Sequence, residues 1–216
     1  MTTSPEHRCR AVRSAIADVQ GVGYFFEPLR ELEEAAVEPL PEFDGFIAQW
    51  RTLVEERVAA AEKRDWREDR WLREVVARTE GPAGLAEAAR RSRRAEDLGA
   101  WCSALAAAGN WQAARAAYEE AAGLVEDRAA RGNFHDGAAL AAQEQGSDDL
   151  DATLERAWRE APSTSRLRRW LGNCSSHEEL VARAGVALEA VPRGAARQRA
   201  LLHVLCGELE AAAAQI

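Results

Sequence analysis

Apolar residues in this chain recur at spacings of three and four, and glycine and proline cut the resulting stripes at short intervals. No stretch alternates apolar and polar residues as a half-buried strand does. That pattern admits helices and little else. Composition agrees: 46 of 216 residues are Ala, and Ala with Leu, Glu and Arg favours helix at nearly every position. The chain is 47% hydrophobic and 30% charged, too apolar for a disordered protein. Collagen-like and disulfide-knot classes are excluded, and no run approaches the ~18 apolar residues of a membrane span. Twenty-seven arginines stand against one lysine, Lys63, a bias that speaks of a GC-rich coding genome.

Pattern and punctuation predict the helices. Thr3, Pro5 and Glu6 read as a helix start, with Val12, Ala15, Ile16 and Val19 as its stripe and Gly21-Val22-Gly23 as its end. Pro28 opens a short acidic helix that turns Leu29, Leu32 and Ala36 inward, and Pro39 and Pro41 break the chain again. Phe46, Ile47, Trp50, Leu53, Val54 and Val58 mark an amphipathic helix over 43–62, and Trp71, Leu72, Val75 and Val76 another over 66–79. Gly81-Pro82 precedes a helix over 83–92. Short helices then follow at 95–108, 111–128, 133–144, 149–160, 164–172, 177–190, 195–206 and 208–216. Their predicted turns include Gly109-Asn110, Arg131-Gly132-Asn133, Gln145-Gly146-Ser147 and Gly172-Asn173, and Ser176 with Glu179 forms a capping box.

Helices paired in series call for a search for repeats. Trp101 with Cys102, then Gly109, then Ala114, Tyr118 and Ala121 form a large-small pair, a turn glycine and a small-aromatic-small series. Thirty-six residues on stand Leu150, Leu154 and Ala157, with Pro162 closing the unit; thirty further stand Leu180, Ala184 and Ala187, with Pro192. A fourth unit begins near 195 and turns at Gly207. These features resemble a tetratricopeptide repeat over about 95–216, with unequal periods and an aromatic in the first unit alone. The resemblance implies an all-α helical-repeat array, 95–216, behind an N-terminal helical region, 1–92. It implies a curved surface lined by first helices, on which a peptide or partner helix docks. The last helix is apolar with no polar helix after it, so the chain reads as a fragment of a longer protein, or as one whose C-terminal helix is available to pair.

A net charge of −8 argues against a general nucleic-acid binder. Seven acids against Arg30 between Glu27 and Asp44 localise much of that charge and leave room for a small basic patch. This stretch could face the run Arg90, Arg91, Arg93, Arg94, or occupy the repeat groove as an internal competitor; a solvated helix face is the bland reading of both segments. Cys9, Cys102, Cys174 and Cys206 form no C-x-x-C pair, and no signal peptide precedes them, as in a reduced cytoplasmic protein.

Catalytic motifs are absent. His177-Glu178-Glu179-Leu180-Val181 lacks the second His of a zinc protease, Cys102 has no His near it in sequence and sits at a packed repeat position, and neither a phosphate loop nor G-x-S-x-G occurs. Cys174, His177, His203 and Cys206 have zinc-compatible chemistry, yet Cys206 as core and His177 as a solvated first-turn residue is the simpler account, and no metal or cofactor is expected. The seven tryptophans fall mostly on apolar stripes, as core residues do.

The groove-lining places carry Gly99, Ser103, His135, Gln143, Ser165, Arg169, Asn173 and Arg197 among alanines. The polar groups with reach, His135, Gln143, Arg169, Asn173 and Arg197, are the candidate partner-binding residues, with Arg169 and Arg197 as anchors for a carboxylate. The function read from sequence is a non-catalytic protein-interaction or scaffold module. The alternative is a regulatory or sensor segment of a longer multidomain bacterial protein; an enzyme on a helical-repeat scaffold, such as a DNA glycosylase, fits the acidic charge poorly.

Overall fold

A computed structural model describes residues 4–18, 27–63 and 65–216, and every regular element among them is an α-helix. The helices are α1 (Pro5–Asp18), α2 (Pro28–Ala35), α3 (Phe43–Ala60), α4 (Trp66–Ser92), α5 (Ala95–Ala107), α6 (Trp111–Leu124), α7 (Arg128–Glu144), α8 (Leu150–Glu160), α9 (Thr164–Leu171), α10 (His177–Ala190), α11 (Ala196–Leu205) and α12 (Leu209–Ala213). The fold is all-α, and none of these helices is long and apolar enough to cross a membrane. The chain divides into two compact units, 1–88 and 89–216. Thr3 and the predicted ending at Gly21-Val22-Gly23 lie outside the described residues.

In the first unit α1 packs on α3, and the predicted stripe of α3 faces inward: Phe46, Ile47, Trp50 and Val54 are buried with Cys9, Leu29, Trp71 and Val75. Phe46 stacks on Trp50, and Trp50 tilts against Trp71 with centroids 5.6 Å apart. Gly81 interrupts α4 with φ 63° and ψ −156°, and Pro82, which has no N–H to lose, restarts it. The acids of the 27–44 stretch meet arginines of their own unit: Glu27 meets Arg30 and Arg70, Glu33 meets Arg78, and Glu42 meets Arg8. Glu74 of α4 accepts the Arg30 N–H at 2.9 Å and so caps the start of α2 from outside.

The second unit alternates two kinds of turn. After α5, α7 and α11 the chain passes through Gly109, Gly146 and Gly207, at φ 69°, 61° and 79°. The next N–H reaches back five residues each time: Asn110 to Leu105, Ser147 to Ala142, Glu208 to His203. These are Schellman closures, and glycine takes the left-handed position without a Cβ clash. After α6, α8 and α10 the chain instead leaves the helix at Val125, Ala161 and Val191. Their N–H groups bond to the carbonyls of Ala121, Ala157 and Ala187, all of them buried. The turn after α9 departs from the first kind: Gly172 stays right-handed and the chain runs on to Ser176, which caps α10.

Helix boundaries differ from the sequence expectation most between α6 and α7; elsewhere α4 spans both helices predicted around Gly81-Pro82, and α12 ends at Ala213 where 216 was predicted. The helix predicted to run to 128 stops at Leu124, and α7 begins at Arg128, because the Asp127 carboxylate accepts the Ala130 N–H at 2.7 Å and starts a new helix there. Arg131-Gly132-Asn133, predicted as a turn, is therefore inside α7. Gly132 serves close packing there, since a Cβ would overlap the Ala161 side chain and crowd Arg166.

Consecutive helices from α5 to α9 and from α10 to α12 pack on one another; α5 also touches α7, and α9 touches α10 and α11. A buried cluster of Leu154, Trp158, Leu167, Trp170, Leu171 and Leu202 joins α8, α9 and α11, with the two indoles stacked at 5.1 Å.

Candidate partner-binding surface

The first helices of the pairs, α7, α9 and α11, carry the candidate residues. On α7, Asn133, Asp136, Leu140 and Gln143 share one face by their spacing. Leu140 on that face is 42% exposed. Arg166 of α9 binds this face, donating to Asp136 at 2.8 Å and to Asn133 at 2.8 Å, while its third group meets the Ala161 carbonyl at 2.8 Å. It is a structural clamp between α7 and α9. Arg169, one turn on, reaches the other Asp136 oxygen at 3.3 Å and remains exposed. Asp136 thus serves two guanidinium groups, and Arg169 holds the longer bond of the two.

Asn173 lies just past α9 and donates to Asp151 at 3.3 Å; Asp151 also receives Arg183, whose guanidinium bonds the Trp170 carbonyl and lies 5.5 Å from the Trp170 ring. Arg197 is exposed on α11 and makes no ion pair among the described residues. It shares its face with Val204, seven residues on and half exposed. Gln143 is exposed.

His135 is placed differently from the rest. It is partly buried, its Nδ1 is buried without a hydrogen-bond partner among the described residues, and the charges that act on it are Arg156 and Glu160 of α8, Glu119 of α6 and neighbouring Asp136. Burial, then Arg156, holds its pKa below the ordinary imidazole value. The structure therefore groups Asp136, Gln143 and Arg169 along α7 and α9, with Asn173 at the α9 end and Arg197 on the adjoining α11, while His135 turns towards α6 and α8.

Sequence reading missed Asp136, which organises the arginines, and Arg168, exposed on α9 with no ion pair among the described residues. The signal was present: α9 reads Thr-Ser-Arg-Leu-Arg-Arg-Trp-Leu and α11 reads Ala-Arg-Gln-Arg-Ala-Leu-Leu-His-Val-Leu, five arginines and no carboxylate on two touching helices.

The other sequence candidates fall as follows. Cys102 is fully buried and its thiol is pushed up to about 12; burial likewise holds Cys9 up at about 11, so neither is ionised near neutral pH. Cys174 sits in the turn before His177. His203 is buried on α11, and its Nδ1 lies 2.6 Å from a Glu208 oxygen. Among the described residues no three His, Cys, Asp or Glu side chains converge on a point that could hold a metal. Within its own unit the basic run engages Glu120 through Arg90 at 2.6 Å, and Arg90 also lies 4.8 Å from the Trp101 ring. No protein-family model matches the chain, and none of the curated proteins compared with it does.

Proposed function

We propose that residues 95–216 form a tetratricopeptide-like solenoid that works as a non-catalytic interaction module in the cytoplasm, binding a peptide or partner helix across its first helices. One observation carries this reading. Two touching first helices hold five arginines and no carboxylate in a chain of net charge −8, and Arg168 and Arg197 lack ion-pair partners among the described residues. A guanidinium left exposed beside half-exposed Val204 and exposed Leu140 meets the needs of an amphipathic segment with carboxylates at its polar positions. Arg169, which shares Asp136 with Arg166, and Arg197 are the anchors, with Gln143 and Asn173 beside them. His135, facing α6 and α8, contributes to the folding of the array and not to contact with the partner.

The test is a partner captured from native lysate, identified, and titrated against the native chain and the Arg169→Ala, Arg197→Ala double variant at two salt concentrations. Loss of the anchors weakens binding by about tenfold or more and flattens the salt dependence. Unchanged affinity in a folded double variant moves the site away from these helices.

A further inference from the structure

Arg197, Leu201 and Val204 of α11, with Glu208 just past its end, fall on one stripe at spacings of four, three and four. Arg197, Val204 and Glu208 are exposed and Leu201 is half-buried, so α9, α10 and α12, the helices that pack on α11, leave this stripe open. It carries a cation at one end, two aliphatic side chains in the middle and a carboxylate at the other, over roughly 15 Å at the rise of a helix.

The charges at both ends have capacity to spare. Arg197 makes no ion pair among the described residues, and it stands in the first turn of α11, where a positive charge opposes the helix dipole. Glu208 Oε2 lies 2.6 Å from His203 Nδ1, while no hydrogen bond or ion pair joins its other oxygen to the described residues. The Glu208 side chain is 54% exposed, so that oxygen is open to a donor from outside.

A stripe ordered plus, apolar, minus becomes its own complement when turned through half a circle, which is the requirement of a two-fold interface. From this order we infer that α11 pairs antiparallel with α11 of a second copy of this chain. One register satisfies both ends at once: Arg197 faces Glu208 of the second copy, Leu201 faces its Val204, and each contact occurs twice. The second copy's carboxylate brings to the start of α11 the negative charge that a helix start favours. Parallel pairing would set arginine on arginine and is disfavoured. Two ten-residue helices bury less area than a permanent dimer needs, so the pairing is weak and depends on concentration. It goes beyond the partner-binding reading, with which it shares Arg197 alone; Arg169 takes no part in it.

Sedimentation velocity of the full chain, run at rising concentration up to about 1 mM, is expected to show a monomer passing into a dimer, less readily at high salt. Arg197→Glu and Glu208→Arg each set like charges face to face and are expected to weaken the dimer about tenfold or more. An equimolar mixture of these two variants is expected to dimerise again, because each copy then supplies the charge that the other lacks. Arg169→Ala is expected to leave the dimer unchanged, which separates this pairing from the binding of another partner. Val204→Asp places a charge in the apolar middle and is expected to abolish the dimer; should Glu208→Arg change the far-ultraviolet circular dichroism, Val204→Asp, at an exposed position, decides in place of the mixture. The inference is overturned if the native chain stays monomeric at about 1 mM, if folded Val204→Asp dimerises as the native chain does, if Arg169→Ala weakens the dimer as much as Arg197→Glu does, or if the mixture of two folded charge variants associates no better than either alone.

Discussion

Tyr118 of α6 lies over Gly137 of α7, so closely that a Cβ at Gly137 would clash with the ring, 2.3 Å from its nearest atom. Glycine there lets two helices approach, as it does at Gly132. Tyr118 is only partly buried, because a glycine floor covers one ring face and has no side chain to wrap the rest. Gly137→Ala is expected to cost about 1–3 kcal/mol by overpacking, measured by urea unfolding, and Tyr118→Ala in the same chain should recover most of that loss. A second residue-scale prediction concerns His135. Its pKa is depressed in the fold, so the unfolded chain binds the proton more readily. The stabilisation is whole above the ordinary value of 6.5 and is lost as pH falls through that value towards the folded pKa. Melting temperature should therefore decline below about pH 6.5, and His135→Gln should reduce the slope.

Helix ends decide where the elements lie. Asn110, Asp127, Ser163 and Ser176 each accept an N–H from three residues ahead, and each marks the start of a helix in the second unit. Ser176 and Glu179 form the capping box that the sequence predicted, with Ser176 taking the Glu179 N–H at 3.1 Å and the Glu179 carboxylate reaching back to the Ser175 N–H at 2.8 Å. The return bond lands one residue earlier than the standard box, and Arg183 holds the same carboxylate. Ser176→Ala should destabilise the unit by about 1 kcal/mol, read from chemical denaturation, with the added amide exchange concentrated in the first turn of α10. Asp127 shows why boundaries escape sequence reading. Glu126-Asp127-Arg128 has no glycine or proline, so only the bond made by Asp127 reveals that one helix ends and another begins.

At the scale of the whole molecule, the substantial contacts of the second unit join helices no more than two apart in order. Such a unit is held by neighbours, and damage stays near its source. Leu202→Ala, which empties a fully buried position on α11, should raise hydrogen exchange in α9 to α12 and leave α5 and α6 nearly unchanged. Trp101→Ala at the other end removes a buried indole and the stack with Arg90, and should cost about 3–5 kcal/mol. Equal loss of protection along the whole unit from either substitution would contradict this local organisation.

Helix class, the inward stripes of α3 and α4 and the glycine turns at Gly109, Gly146 and Gly207 were legible in the sequence, because each is set within one or two turns of chain by side-chain period or by the absence of a Cβ. So were Ala121, Ala157 and Ala187, whose matched positions proved to end three alternate helices, α6, α8 and α10, in the same way. Tertiary structure decided the rest. Gly132 reads as a turn until its neighbours are known, and Gly137, inside the helix predicted over 133–144, shows its purpose only once Tyr118 is seen to lie over it. His135 and Gln143 occupy one helix and look alike in a sequence, yet they face different neighbours. Asp136 gained its place by receiving two arginines from thirty residues away. Such contacts join segments far apart in the chain, and no local pattern in one segment records what the other does.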